Sequence, residues 1–323
     1  MRESMDSTER ILVKYPLFRS TLARIQQCFD SHGTTAEPSC CPVVGESGSG
    51  KTTIISYFAS LHPRIDRKCG VEVPVLLAKV PARPTVKSLA ETLLYQLGDP
   101  LWSRGNTVSK SIRFRELLKR CHVRMLALDE FQHFVDVRQA NIPNDVADWL
   151  KEQVEEAKLS IVVVGLPRCL EVLKQNEQLR RRFGANLHVG AFRWHLKEER
   201  TSYRAFLQAV QDQIQDYTMP PLSDVDTAFR FHYASYGLIG YTMKIIRGAA
   251  RIATAHPKRE ITMRTLAESF AANVWSERLD DPNPFIDSFD PHKATPITTP
   301  GQMAWIPRVS AQNGAGRTSL DFY

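Results

Sequence analysis

The sequence predicts an α/β protein in which a parallel sheet lies between helices and is followed by an all-helical region. Three observations carry this. Short runs of β-branched and aliphatic residues alternate with longer helix-spaced stretches from residue 41 to residue 165. A glycine-rich loop joins the first of these runs to the helix after it. From about residue 197 only helical periodicity remains.

Taken in order, residues 11–29 place Ile11, Leu12, Leu17, Leu22, Ile25 and Phe29 mostly at helical spacing, with Pro16 marking a break near the start. This is a helical lead-in, assigned to residues 1–35. Residues 31–39 read as a loop, and Cys41–Val44 as a short buried strand ending at Gly45. Residues 52–61 follow as a helix and 73–80 as a strand suited to a buried parallel sheet. Val86–Leu97 and residues 112–121 read as helices, Met125–Asp129 as a strand, 145–158 as a helix and Ser160–Gly165 as a strand. The core so defined spans 36–196, with ligands expected at the carboxyl ends of its strands.

Helices are then expected over 198–217, 223–236, 241–256 and 262–275, forming a lid over 197–278. Beyond it Pro282, Pro284, Pro291, Pro296, Pro300 and Pro307 prevent regular helix, so 279–323 is expected to be a flexible tail. Within that tail Trp305 and Ile306 leave a partner-binding role open.

Composition bounds the function classes. The 323 residues are 43% hydrophobic and 24% charged, the balance of an ordinary globular protein and not of a disordered one. The first ten residues, MRESMDSTER, hold no apolar leader core, and no stretch runs 18 apolar residues without charge. A cytoplasmic protein without a membrane role is expected. Cys28, Cys40, Cys41, Cys69, Cys121 and Cys169 form no C-x-x-C pair and read as reduced, packed thiols. The formal charge of +7 draws the chain toward polyanions.

The strongest chemical signal is Gly45-Glu46-Ser47-Gly48-Ser49-Gly50-Lys51-Thr52, a complete G-x-x-x-x-G-K-[ST] between a strand and a helix, with Thr53 next. Small residues let successive amides converge on phosphate oxygens, and the helix N-terminus adds partial positive charge. ATP and Mg²⁺ are the expected ligands: Lys51 reaches the β- and γ-phosphates and Thr52 ligates the metal. The apolar strand Met125–Asp129 ends in Asp129 and Glu130. Asp129 is expected to hold Mg²⁺ directly or through water, and Glu130 to deprotonate the attacking water as general base. The strand Ser160–Gly165 is followed by Leu166 and Pro167, with no Asn or Thr where a polar sensor of the γ-phosphate is expected.

Three basic features have two readings each. Arg180, Arg181 and Arg182 either reach the γ-phosphate of an adjacent subunit or form a solvated helix end favoured by the macrodipole. Lys244, in the turn Gly237-Leu238-Ile239-Gly240-Tyr241-Thr242-Met243-Lys244, either touches nucleotide from the lid or is an exposed helical lysine. Between Ser103 and Arg124, Arg104, Lys110, Arg113, Arg115, Lys119, Arg120 and Arg124 face one acid, Glu116. They are either sequence-independent contacts to DNA phosphates or a solvated basic face.

The run Lys14-Tyr15-Pro16, the loop GESGSGKTT, the strand end LALDEFQHF, the RRRF run and the GLIGYTMK turn, in this order, resemble AAA+ ATPases and, within them, the TniB/TnsC regulators of transposition. The resemblance covers roughly residues 10–275. It implies a P-loop AAA+ core with a helical lid and an ATP-dependent homo-oligomer, ring or helical filament, on double-stranded DNA. It also implies a link between a TniQ-like target selector and a DDE transposase. The missing polar sensor, and Lys244 where the lid usually supplies arginine, depart from the broader pattern and put efficient turnover in question. A signalling or initiator-type NTPase acting through protein contacts is the competing class. A helicase fits less well, since no helicase motifs follow the carboxylate pair, and a small-molecule kinase less well still, given the large helical lid and the basic stretch.

Overall fold

The computed structural model describes residues 7–34, 38–68, 70–136, 142–255, 257–274 and 282–295. After a 3-10 turn at Ser7–Arg10, α1 (Pro16–Asp30) leads into β1 (Cys41–Val44), the glycine-rich loop and α2 (Lys51–Leu61). An antiparallel hairpin, β2 (Ile65–Arg67) and β3 (Gly70–Glu72), precedes β4 (Val75–Lys79), then α3 (Val86–Leu97) and α4 (Thr107–Arg120). Next come β5 (Met125–Asp129), α5 (His133–Asp136), α6 (Ile142–Ala157) and β6 (Ser160–Gly165). Two short helices, α7 (Leu170–Lys174) and α8 (Glu177–Arg182), precede β7 (Leu187–His188). The lid follows as α9 (Lys197–Gln213), α10 (Val225–Ser235), α11 (Ile239–Thr254) and α12 (Met263–Asn273).

The five longer-range strands form one parallel sheet in the order β4-β5-β6-β1-β7. Successive residues point to opposite faces, so each strand feeds two cores. Val43, Ala127, Val162 and Val164 face α1, α2 and the lid. Val44, Leu126, Leu128 and Val163 face α3, α4 and α6. Alignment of Val44 with Gly165 and of Lys79 with Asp129 brings the carboxyl ends of β1, β4, β5 and β6 to one edge.

Several boundaries differ from the sequence reading for local reasons. Helix α4 begins earlier, at Thr107, because the Asn106 side chain accepts from the Ser109 amide and caps it. Helix α9 stops at Gln213, ahead of the expected end. Neither the exposed β2–β3 hairpin nor the two-residue β7 has a hydrophobic run long enough to announce it.

The segment expected to be flexible beyond residue 279 is corrected in part. Residues 282–295 pack on the lid: Phe285 is 2% and Phe289 4% exposed. Phe285 stacks edge-on against Phe231, and Arg230 donates to the carbonyls of Ile286 and Phe289 at 3.1 Å each. Proline stops helix here but does not stop a strap built of successive turns from burying aromatic rings. Residues 296–323, including Trp305 and Ile306, lie outside the described residues, as does Cys69. The five described cysteines are free and buried, and burial pushes Cys40 and Cys169 up to about 12, which makes them poor nucleophiles. No helix among the described residues is long and apolar enough to cross a membrane.

Candidate nucleotide site

The loop after β1 turns on two glycines in the left-handed region, Gly48 at φ 79° and Gly50 at φ 97°, the latter capping α2. Gly45 is needed for a different reason: a Cβ there would lie 1.9 Å from the Val189 carbonyl oxygen. Its amide donates to the Gly165 carbonyl at 3.2 Å, which ties the loop to β6. Ser49 is buried and its amide donates to the Glu46 carbonyl at 3.3 Å, while Ser47 is exposed.

Lys51 is 8% exposed and folds back on the loop, donating to the Glu46 carbonyl at 2.6 Å and to Ser49 Oγ at 3.4 Å. Burial lowers its pKa below the ordinary lysine value, against the pull of Asp129, Glu130 and Glu46. An ammonium whose acceptors are a carbonyl and a hydroxyl is poised to exchange them for phosphate oxygens.

Thr52 Oγ1 donates to Asp129 Oδ2 at 2.8 Å, joining α2 to the end of β5 across 77 positions of sequence. A hydroxyl and a carboxylate are hard oxygen donors of the kind Mg²⁺ accepts alongside water and phosphate, so the pair fits that metal. Glu130 follows in the left-handed region at φ 58°, and its amide donates to Asp129 Oδ1 at 2.9 Å. This turn aims the two carboxylates apart, Asp129 toward Thr52 and Glu130 toward Gln132 and Lys79.

The remaining residues of the turn each have an assigned place. Phe131 and Phe134 are fully buried with ring centroids 5.2 Å apart, and His133 Nδ1 lies 3.0 Å from the Val80 carbonyl. Gln132 turns back into the cleft that Lys51, Thr52, Asp129, Glu130 and Leu166 also line. Gln132 has no role that the sequence alone assigns. Its signal was a polar residue between two core phenylalanines.

Gly50, Thr53 and Gly240 border this cleft and also an apolar slot walled by Ile11, Val13, Ile239 and Met243. The shared residues set a polar space, at the carboxylate end, beside an apolar one, the two kinds of lining that the phosphates and the base of a nucleotide call for. Lys244 is exposed and lines neither space; the basic residue of the lid that borders the slot is Arg247.

The arginine run lies at the opposite end of β1. The Arg182 carbonyl accepts from the Cys40 amide at 3.1 Å, whereas the loop begins at Gly45, about 16 Å further along the strand. Arg180, Arg181 and Arg182 therefore do not reach the phosphate loop of their own chain.

The basic stretch before β5 is corrected. Lys110 is fully buried: it pairs with Glu91 at 3.1 Å and donates to the carbonyls of Trp102 and Arg104. Arg113 bonds Asp99 at 3.0 Å and the Leu101 carbonyl at 2.7 Å, and Arg115 pairs with Glu152 and Glu156. Only Arg104, Lys119 and Arg120 of the six candidate DNA-contacting residues are exposed. Arg104 is in the loop before α4 and the other two are at that helix's far end, about 20 Å away.

Among solved structures, the Aeropyrum pernix ORC2 protein in its ADPNP-ADP complexes is 15% identical with a TM-score of 0.63, covering 83% of this chain and 72% of that one. CDC6P from Pyrobaculum aerophilum is 13% identical with a TM-score of 0.61, covering 84% and 72%. The Aeropyrum pernix ORC1 protein in complex with DNA is 14% identical with a TM-score of 0.59, covering 83% and 68%. At these identities the likeness is one of fold. A search of curated proteins finds no match. The family model described as bacterial TniB protein matches residues 6–194, more than half of the chain. On an AAA+ fold with a complete phosphate loop and a paired-carboxylate strand end, this chain belongs to the bacterial TniB family.

Proposed function

We propose that this protein is an ATP-dependent regulator of transposition that assembles as a ring or helical filament on double-stranded DNA. In this reading it couples a TniQ-like target selector to a DDE transposase, and ATP hydrolysis drives disassembly. The observation that carries the nucleotide half is the Thr52–Asp129 hydrogen bond at 2.8 Å, flanked by the buried Lys51 ammonium on one side and Glu130 on the other. Membership of the TniB family and the likeness in fold to a protein solved in complex with DNA support the other half.

The chemistry asked of the residues is simple. Gly48, Ser49, Gly50 and Lys51 present amides to the phosphates, and Lys51 adds its charge. Thr52, and Asp129 directly or through water, would hold Mg²⁺, which would supply positive charge against the phosphate oxygens. Glu130 takes a proton from water as the water oxygen bonds to the γ-phosphorus. The bond to the bridging oxygen breaks, ADP keeps that electron pair, and phosphate departs. An arginine of the run enters from a neighbouring subunit and stabilises the charge that develops. Assembly thereby depends on bound ATP.

A second reading, an initiator-type NTPase acting through protein contacts, is favoured by one observation: Lys110, Arg113 and Arg115 are committed to internal pairs and leave fewer cations for DNA. Electron microscopy with duplex DNA and a non-hydrolysable ATP analogue separates the two. Rings or filaments that require both ligands, and vanish in Lys51→Ala, support the regulator. Nucleotide-dependent oligomers that ignore DNA support the alternative, and nucleotide-independent monomers on DNA sink the first reading.

A further inference from the structure

The carboxyl end of β6 offers glycine and leucine where a polar side chain is expected, and the space beside Gly165 is filled from another element. Gln132, 4% exposed, projects into it. Its Oε1 accepts from the Leu166 amide at 3.1 Å, and its Nε2 donates to Glu130 Oε2 at 2.5 Å. The backbone holds it there: the Phe131 amide donates to the Val164 carbonyl at 2.9 Å, and the Val135 and Asp136 amides both donate to the Gln132 carbonyl.

The orientation of the carboxamide is dictated by its partners. Rotated by half a turn, its oxygen would face the Glu130 carboxylate and its NH₂ would face the Leu166 N–H, acceptor against acceptor and donor against donor. A buried amide with both ends committed is a rigid spacer. The other ligand of Glu130, Lys79 at 3.7 Å, is 69% exposed and holds the carboxylate only weakly through solvent. The absence of a side chain at 165 belongs to the same arrangement, since a Cβ there would lie 2.6 Å from Gln132 Oε1.

We infer that Gln132 is the positioning residue of the hydrolytic step, fixing the Glu130 carboxylate relative to the Leu166 amide and supplying from the turn after β5 the polar group that the end of β6 lacks. This rests on the proposed ATPase reading. One Glu130 oxygen is tied to the amide, and the carboxylate keeps acceptor capacity for the water it must deprotonate. Gln132 acts through Glu130, so its loss slows turnover without loosening nucleotide.

The test is steady-state ATP turnover of the full chain with duplex DNA, alongside calorimetric ATP affinity. Gln132→Ala is expected to lower kcat by about 10- to 100-fold, the cost of a misplaced reacting group, with ATP affinity within about twofold of wild type. Gln132→Glu, which keeps the length but sets a carboxylate against Glu130, is expected to lose as much. Gly165→Ala displaces the Gln132 oxygen from the opposite side, so it gives the same loss even where Gln132→Ala fails to fold. The double variant is expected to be no slower than the slower single one, because both remove one contact. A Gln132→Ala enzyme with kcat within about twofold of wild type, or losses that multiply in the double variant, overturns the inference. Wild-type protein that binds ATP but never turns it over overturns the ATPase reading and this inference together. Wild-type turnover that Glu130→Gln stops and Gln132→Ala leaves intact overturns the inference alone.

Discussion

The Gly240 amide donates to the Gly48 carbonyl over 2.7 Å, so the first turn of α11 rests directly on the phosphate loop. Both residues approach as bare backbone. A Cβ on Gly240 would lie 2.8 Å from the Gly48 carbonyl oxygen and 2.9 Å from its Cα, atoms that cannot swing aside as a flexible side chain does. Lid and loop are thus mechanically joined at the point where nucleotide is proposed to bind.

Gly240→Ala is accordingly expected to weaken ATP binding by about tenfold, a typical coupling of 1–3 kcal/mol between two elements. Its effect on the isolated helix runs the other way, since alanine is favoured over glycine by about 1 kcal/mol within a helix. Calorimetry and thermal melts separate the two contributions. An alanine variant with wild-type affinity would show that the lid need not seat on the loop.

Much of the site was legible because its signals are local. The loop motif, the apolar strand and its terminal carboxylates each sit within a few residues, and the fold needs them at one sheet edge. What could not be read depends on pairing between distant segments: Lys79 opposite Asp129, Gln132 beneath Leu166, Gly240 against Gly48. The misreading of Lys110 is different, because its signal was present. Lys110, Phe114 and Leu118 are spaced by four and share the buried face of α4. The helical period assigns each charge of the run to a face, so a basic run in sequence is not a basic surface.

Stability and DNA affinity should therefore separate along α4. Lys110→Ala leaves Glu91 without its buried partner and is expected to cost about 3 kcal/mol of stability, read as a lower urea midpoint. Lys119→Ala and Arg120→Ala remove exposed cations and are expected to stay within about 0.5 kcal/mol of wild type. If these two touch phosphate, each lowers the slope of log affinity for DNA against log salt by about one. Unchanged slopes for both would remove this end of α4 from any DNA interface.

His232 links the lid to pH. It is 2% exposed, its Nε2–H donates to the Phe192 carbonyl at 2.7 Å, and its Nδ1 has no partner among the described residues. Burial, with a smaller contribution from His195, lowers its pKa from 6.5 to about 4, against the opposing pull of the Phe192 bond. The folded state thus binds fewer protons than the unfolded state between those values. Stability from this group is complete above pH 6.5 and is lost as pH falls toward 4, by about 3 kcal/mol in all. Urea unfolding at stepped pH is expected to show a shallower acid slope in His232→Gln, which keeps a donor for the carbonyl but does not titrate. Parallel slopes would mean that other groups set the acid response.

The three arginines of α8 differ in what already holds them, and the difference selects one. Arg182 pairs with Glu155 at 3.1 Å and is 17% exposed, so it is structural. Arg181 is exposed but paired within its own helix to Glu177 at 2.7 Å. Arg180 is exposed and makes no ion pair among the described residues, which leaves its guanidinium available to a neighbour. On the proposed reading, Arg180→Ala is expected to lower ATP turnover by about 10³-fold while ATP still binds, the loss typical of a trans-acting arginine. If the arginine serves an adjacent subunit, as proposed, mixing Arg180→Ala with Lys51→Ala, each inactive alone, restores part of the activity. In the mixed interface one chain supplies the intact phosphate loop and the other the intact arginine. Failure of the mixture to exceed either variant, with co-assembly verified by sedimentation, would place Arg180 outside the shared site.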